Sequence, residues 1–369
     1  MRVLLLGAGA SFEAGYPLAG SLINEIEREA RDSVVQNFSD AWAAWQKLRE
    51  SSSGVARYLL GNPNPEVVLS LPDLCEVARE SEDRQAFERA RSALSTGSDD
   101  PGEIWKHLKS QGRKVANEAV TARDRFRDCL NDFFLYRHHL DSKPENREKR
   151  EYLRRALSTL SVGDRVITLN WDTTVERTLL EDERWNPING YGFRHELRSP
   201  SSSGSGPRPL GFEVPSSEVI VLKLHGSVGW HQTRDGRFYF ENRYGFLRDF
   251  EFTHRGVPVP LADPAPDPIG PPDGFLLGYP SFLKQVSGFE MQSIWYQAAR
   301  ALDTAHSVEV WGYSLPQSDT AVRTLLNGLR FRLDRREVRV EVHDPLREVQ
   351  DRWSDFLGEK AEVDGARLE

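Results

Sequence analysis

The chain has 369 residues with two cysteines, 28% charged residues and a formal net charge of -8, a mean hydropathy of -0.55 and an isoelectric point near 5.7. The length exceeds the roughly 100–200 residues of an ordinary domain, so two units or one unit with a large insertion are expected. Two distant cysteines exclude a disulfide framework and a four-cysteine zinc site, no apolar run reaches the ~18–20 residues of a membrane helix, and the acidic balance gives no electrostatic ground for nucleic-acid binding.

The first element is "RVLLLG" (2–7), an apolar run closed by glycine, which reads as a buried parallel strand. It is too short for a signal peptide, so a cytoplasmic location is expected. A helix is predicted from about Pro17, because "PLAGSLINEIEREARD" sets Leu18, Leu22, Ile23 and Ile26 on one face behind a proline. From there to about Leu160 the pattern is almost wholly helical. Its strongest segment spans 103–140, broken near Gly112, with separators at 51–54, 61–65 and 96–102. This is too much helix for one crossover, and it reads as a helical insertion. Trp42, Trp45 and Trp105 fall in it, as core or as interface.

After Gly163 short apolar strands alternate with helices: strands at 165–170, 219–225, 274–278, 307–314 and 337–344, and helices from Thr173 to Leu180, Phe289 to Leu302 and Asp319 to Leu333. That alternation predicts an α/β fold, a parallel sheet with helices on both faces. Segments 199–217 and 256–273, rich in Pro, Gly and Ser, read as surface loops, and the Asp235-Gly236 pair in "TRDGRFYF" signals a small hairpin.

Ligands of open α/β sheets bind beyond the carboxyl ends of the strands, so the residues after each apolar run carry the functional information. After the first strand comes "GAGAS", whose Gly7 and Gly9 suit a tight turn and close backbone approach to phosphate, though Phe12 stands where a dinucleotide fingerprint has its third glycine. After the second comes "TLNWD", delivering Asn170 and Asp172; Asp172 is also well placed to cap the following helix. After the third comes "KLHGS", where His225 sits at a strand end trailed by Gly226 and Ser227. The fourth, "GYSLPQSD", breaks into Gly312, Ser314 and a helix start at Pro316.

Together, "GAGAS…AGYP", "TLNWD", "KLHGS" and "GYSLP" resemble in order the motif set of the sirtuins, and the "LHGS…W" pattern ending at Trp230 is similar to their bacterial sirtuin-like branch. The resemblance implies a Rossmann-like domain over 1–23 and 161–369, with a helical insertion or subdomain over 24–160. It implies NAD as ligand, with Gly7, Ala8, Gly9 and Ser11 at the phosphates. Thr168 would be a cofactor-binding residue, Asn170 would sit at the ribose or an attacking water, Asp172 at the nicotinamide carboxamide, and His225 as general base. Gly312 and Ser314 would lie on the adenosine side, and Asp344, beside His343, near adenine.

Two departures separate the chain from protein-deacylating sirtuins. The four-cysteine zinc module cannot be built, and Leu18, Ala19 and Gly20 replace the acidic-aromatic-arginine continuation of the "AGxP" motif. The resemblance therefore implies an NAD glycohydrolase without zinc, yielding ADP-ribose and nicotinamide, as an effector of antiphage defence. An NAD or ADP-ribose sensor or assembly module is the alternative, and a zinc-independent deacylase or ADP-ribosyltransferase the third. The same resemblance implies a homo-oligomer with a partner such as a HerA-type hexameric ATPase or an Argonaute-like protein. His231 has no role in this set and reads as a hairpin histidine.

Overall fold

Six short segments zip into one parallel sheet: β1 (Arg2–Leu6), β2 (Arg165–Thr168), β3 (Ile220–Lys223), β4 (Ser307–Trp311), β5 (Arg339–His343) and β6 (Glu362–Asp364). The computed structural model describes residues 1–18, 20–32, 42–43, 45–47, 50, 120–121, 123–138, 140–141, 144–187, 189–192, 216–232, 289–317, 319–358 and 360–365, with short strands at 198–199, 208–209, 238–240, 252–254, 257–259 and 275–277. The sheet order is β6-β5-β4-β1-β2-β3. β1 is central, pairing with β4 on one side (Val3 with Val308) and β2 on the other (Val3 with Arg165). Its Val3, Leu4, Leu5 and Leu6 are all buried, as expected of a strand covered on both faces.

The helices between these strands are α1 (Leu22–Asp32), α2 (Glu151–Ser158), α3 (Thr174–Glu181), α4 (Phe289–Thr304), α5 (Thr320–Asp334) and α6 (Arg347–Leu357). From β1 the chain steps outward through β2 to β3, and from β4 it steps the opposite way to β6. With the right-handed crossovers that parallel strands almost always take, such an order puts the helices of the two halves on opposite faces. The order is that of a doubly wound, Rossmann-like α/β fold, and it reverses between β1 and β4. At that switch point the loops after the two strands diverge and leave a crevice at their carboxyl ends.

The structure corrects several expectations. α1 starts at Leu22 and not near Pro17: Ser21 N–H bonds Leu18 O in a turn, and Ser21 O accepts the first helical bond, from Glu25. Gly20 and Ser21 stop the helix from reaching back to the proline, since Ser competes for local backbone bonds and favours the cap. α5 starts at Thr320 and not at Pro316. The 274–278 strand is not in the parallel sheet: Phe275–Leu277 pairs antiparallel with Gly226–Gln232, which also pairs with Phe238–Phe240 as the predicted hairpin. A short apolar run has no signal for which sheet it joins. α6 and β6 were not foreseen. Trp42 and Trp45 are core residues in one cluster with the sheet, as are Phe126, Phe133 and Phe134 of the helical stretch 123–138. Trp105 and Asp235-Gly236 lie outside the described residues.

Candidate functional site at the switch point

The loops after β1 and β4 stay hydrogen bonded beyond the sheet, with Gly7 N–H donating to Trp311 O and Gly9 N–H to Gly312 O, each at 3.0 Å. Their backbones pass so closely that a Cβ on Gly7 would lie 2.5 Å from Gly312 O and one on Gly9 would lie 2.8 Å from Gly312 Cα. Gly312 itself has φ +62, the left-handed region where a side chain is strained. The glycines predicted for phosphate approach therefore have a prior task, letting two loops cross at the mouth of the crevice.

Beside this crossing lies a cavity of about 510 Å³, within the roughly 300–1,000 Å³ of small-molecule sites. Of the predicted residues, Ala8, Gly9, Asn170, Asp172, His225, Gly312, Ser314 and Asp344 line it. Gly7, Ser11 and Thr168 lie one layer behind. Asn170 ties that layer together: its Nδ2 donates to Gly7 O at 2.9 Å and Ser11 Oγ at 3.0 Å, and its backbone N–H donates to Thr168 Oγ1 at 3.1 Å. Both amide hydrogens are thereby used. Oδ1, the acceptor, is buried with no donor among the described residues, and a buried acceptor left unmatched costs about 1–3 kcal/mol. A ligand hydroxyl or a water removes that penalty.

Asp172 accepts from Thr174 N at 3.0 Å and Thr174 Oγ1 at 2.5 Å, so it does hold the start of α3 while also facing the cavity. Beneath it Lys223 and Glu176, both fully buried, pair at 2.8 Å, and Lys223 Nζ also donates to Asp172 O. Burial, outweighing the lysine, pushes the Glu176 carboxyl above its usual range. His138 Nδ1 meets Thr173 Oγ1 at 2.5 Å, and Tyr152 OH donates to Ala10 O at 2.7 Å, so residues from the 24–160 region brace the loops after β2 and β1.

The placement of His225 follows from chain direction. β3 ends at Lys223, the chain turns at Gly226 with φ +71, and Gly226–Gln232 leaves for the antiparallel sheet. His225 is 4% exposed, at the bend between two sheets. Trp295 Nε1 donates to Leu224 O at 3.1 Å and pins the bend from α4. His225 Nε2 lies 3.3 Å from Asp319 Oδ2. Asp319 was missed as a site residue, although "GYSLPQSD" contains it, because an Asp before a helix reads as a cap.

Tyr16, in "AGYP", was missed too. Its hydroxyl is buried without a partner among the described residues, and burial, with Asp141 and Asp172 adding, pushes its pKa well above the phenol range. At the other end of the cavity Asp344 accepts from Leu346 N at 2.9 Å, and burial pushes its carboxyl up. Among the described residues no Lys or Arg lines the cavity, so an anionic ligand would rely on backbone N–H groups.

Glu309, Glu341 and His343 bring ligand atoms within 4.8 Å of one another on β4 and β5, but Arg2 pairs with Glu309 at 3.1 Å and Arg339 with Glu341 at 2.6 Å, which compensates their charge without a metal. Cys129 is buried, and Cys75 lies outside the described residues.

Fold and crevice define a class, the doubly wound α/β proteins that bind ligands at the carboxyl edge of the sheet. No protein-family model matches the chain, and no curated protein does. Among solved structures, the crystal structure of a Sir2 homolog-NAD complex aligns with 99% of this chain and 83% of its own, at 13% identity and a TM-score of 0.37. The fold class rests on the strand order and not on that likeness.

Proposed function

We propose that this protein hydrolyses the nicotinamide N-glycosidic bond of NAD+, with 1–23 and 161–369 forming the NAD-binding unit and 24–160 a helical insertion that braces it. The observation that carries the reading is that Asn170 and His225, which follow adjacent strands, line one cavity of suitable size, where the buried Asn170 Oδ1 has no donor among the described residues. The glycosidic bond breaks with its electron pair going to nicotinamide, which leaves neutral, and a water oxygen bonds to the ribose carbon. Such a step requires orientation and a nearby base more than a strong acid.

In this reading Asn170 Oδ1 accepts from the attacking water or a ribose hydroxyl. His225 takes the proton, which then passes to solvent, imidazole being a side chain able to take up and release a proton in such an exchange. Asp172 holds the carboxamide, Ala8 and Gly9 face the phosphates from a loop shaped by Gly7 and Ser11, and Thr168 holds Asn170. Gly312 and Ser314 meet the adenosine side, and Asp344 the adenine end. By the same reading the chain is a cytoplasmic, oligomeric effector of antiphage defence that depletes NAD+ without zinc. With net charge -8 it leaves trigger recognition to a partner such as a HerA-type ATPase or an Argonaute-like protein.

The test is nicotinamide release from NAD+, measured alone and with the neighbouring gene products, for wild type, His225→Ala and Asn170→Ala. Release by the wild type that both variants lose supports hydrolysis. Calorimetric NAD binding without any nicotinamide under every condition favours the sensor instead, and equal release by all three refutes the assignment.

A further inference from the structure

The loop after β4 is held in an unusual shape over 312–317. Leu315, fully buried, has φ +49, a conformation that branched and bulky residues adopt only where their surroundings impose it. The surroundings here are Arg323 Nη1 donating to Leu315 O at 3.1 Å, Trp353 Nε1 donating to Tyr313 O at 2.8 Å, and Arg352 donating to Ser314 O. The loop ends on Asp319, at the N-cap of α5. An Asp there normally accepts from the first turn of its own helix, but Asp319 makes no such side-chain bond. Its carboxylate, 1% exposed, turns to the cavity, where Oδ2 lies 3.3 Å from His225 Nε2 and accepts from Tyr313 OH at 2.9 Å.

We propose that Asp319 is the positioning residue for His225, holding the imidazole with its proton on Nε2 so that Nδ1 is the basic nitrogen, and compensating the imidazolium that forms when Nδ1 accepts a proton. The role of His225 as base rests on the function proposed above; the coupling of the two side chains does not. In the step, an O–H bond of water or ribose breaks, an N–H bond forms at Nδ1, and the positive ring then faces a carboxylate that Tyr313 OH keeps ionised by donating to it. A carboxylate facing the lone pair of Nε2 would repel it, which selects the tautomer.

The other ionisable groups lining the cavity among the described residues are Asp172 from the β2 loop, Glu13, Tyr16 and Tyr152, and His343 and Asp344 at the end of β5, besides Tyr313. Lys223, two residues before His225, is engaged with Glu176 and Asp172 O instead.

The experiment uses the full chain with 13C/15N-labelled histidine, His225 being assigned by its missing signal in His225→Gln. In the wild type the neutral ring is expected to carry its proton on Nε2. In Asp319→Asn the titration midpoint of His225 should fall by about one unit or more, as for loss of an opposite charge within 4–6 Å, while Asp319→Glu keeps most of it. Nicotinamide release in Asp319→Asn should show kcat reduced about 10–100-fold, as for other groups that orient a reacting side chain, with KM little changed and the acidic limb at lower pH.

A wild-type ring protonated on Nδ1, a measurement that needs no variant, overturns the proposal. So does an unmoved His225 midpoint in Asp319→Asn. A midpoint that moves in a protein releasing no nicotinamide, alone or with the neighbouring gene products, supports the coupling and refutes the hydrolase reading.

Discussion

Gly312→Ala tests the crossing of the two loops. An added Cβ at Gly312 would lie 2.6 Å from Gly9 C, 2.7 Å from Gly9 Cα and closer still to Ala10 N, all backbone atoms that no rotamer change can move. Holding alanine at φ +62 adds strain of about 1–2 kcal/mol, and overpacking against fixed atoms adds about 1–3 kcal/mol. The sum is roughly 2–5 kcal/mol, a large share of the ~5–15 kcal/mol of an ordinary domain. Relief requires the β1 and β4 loops to part, breaking the 3.0 Å bond from Gly9 N to Gly312 O and widening the crevice. Denaturant unfolding and ADP-ribose calorimetry should therefore both report a loss. Gly328→Ala is the control: it lies within α5 with nothing within 4 Å of the new Cβ, so helix propensity predicts a gain of about 0.8–1 kcal/mol. If Gly312→Ala unfolds and binds like wild type, the loops do not cross as described.

Asn170→Ala and His225→Ala should separate. The first strands Gly7 O and so loses about 1–3 kcal/mol of stability as well as ligand binding, whereas the second should fold and bind ADP-ribose while nicotinamide release drops about 10²–10⁴-fold; equal stability losses in unfolding scans would contradict this. Glu176→Gln leaves Lys223 charged and buried and should cost about 3–5 kcal/mol, while Glu176→Gln with Lys223→Met should recover much of it in a double-mutant cycle. For Asp344, burial raises the folded pKa above its ordinary 3.8, so its contribution to stability is full below that value and lost as pH rises through the folded pKa. Asp344→Asn, which keeps an acceptor for Leu346 N–H, should thus match wild type near pH 3 and exceed it slightly at pH 7; a variant less stable at pH 7 would show the sign to be wrong.

The sequence by itself determined the α/β class, because short apolar runs such as "VLLL" alternate along the chain with helical patterns, which is the order of strands joined by helical crossovers. It also placed Asn170, Asp172, His225, Gly312, Ser314 and Asp344 on one cavity, since every one of them follows a strand and parallel strands share a carboxyl edge. The fate of 274–278 was not legible, because pairing partners are chosen by contacts far along the chain. Asp319 was not legible either: an Asp before a helix reads as a cap, and only the packed loop, with Leu315 forced to φ +49 and Trp353 holding Tyr313 O, turns it toward a histidine 94 positions earlier. Local pattern decides which residues stand at strand ends; which of them face one another depends on strand order and loop packing, which exist only once the sheet is assembled.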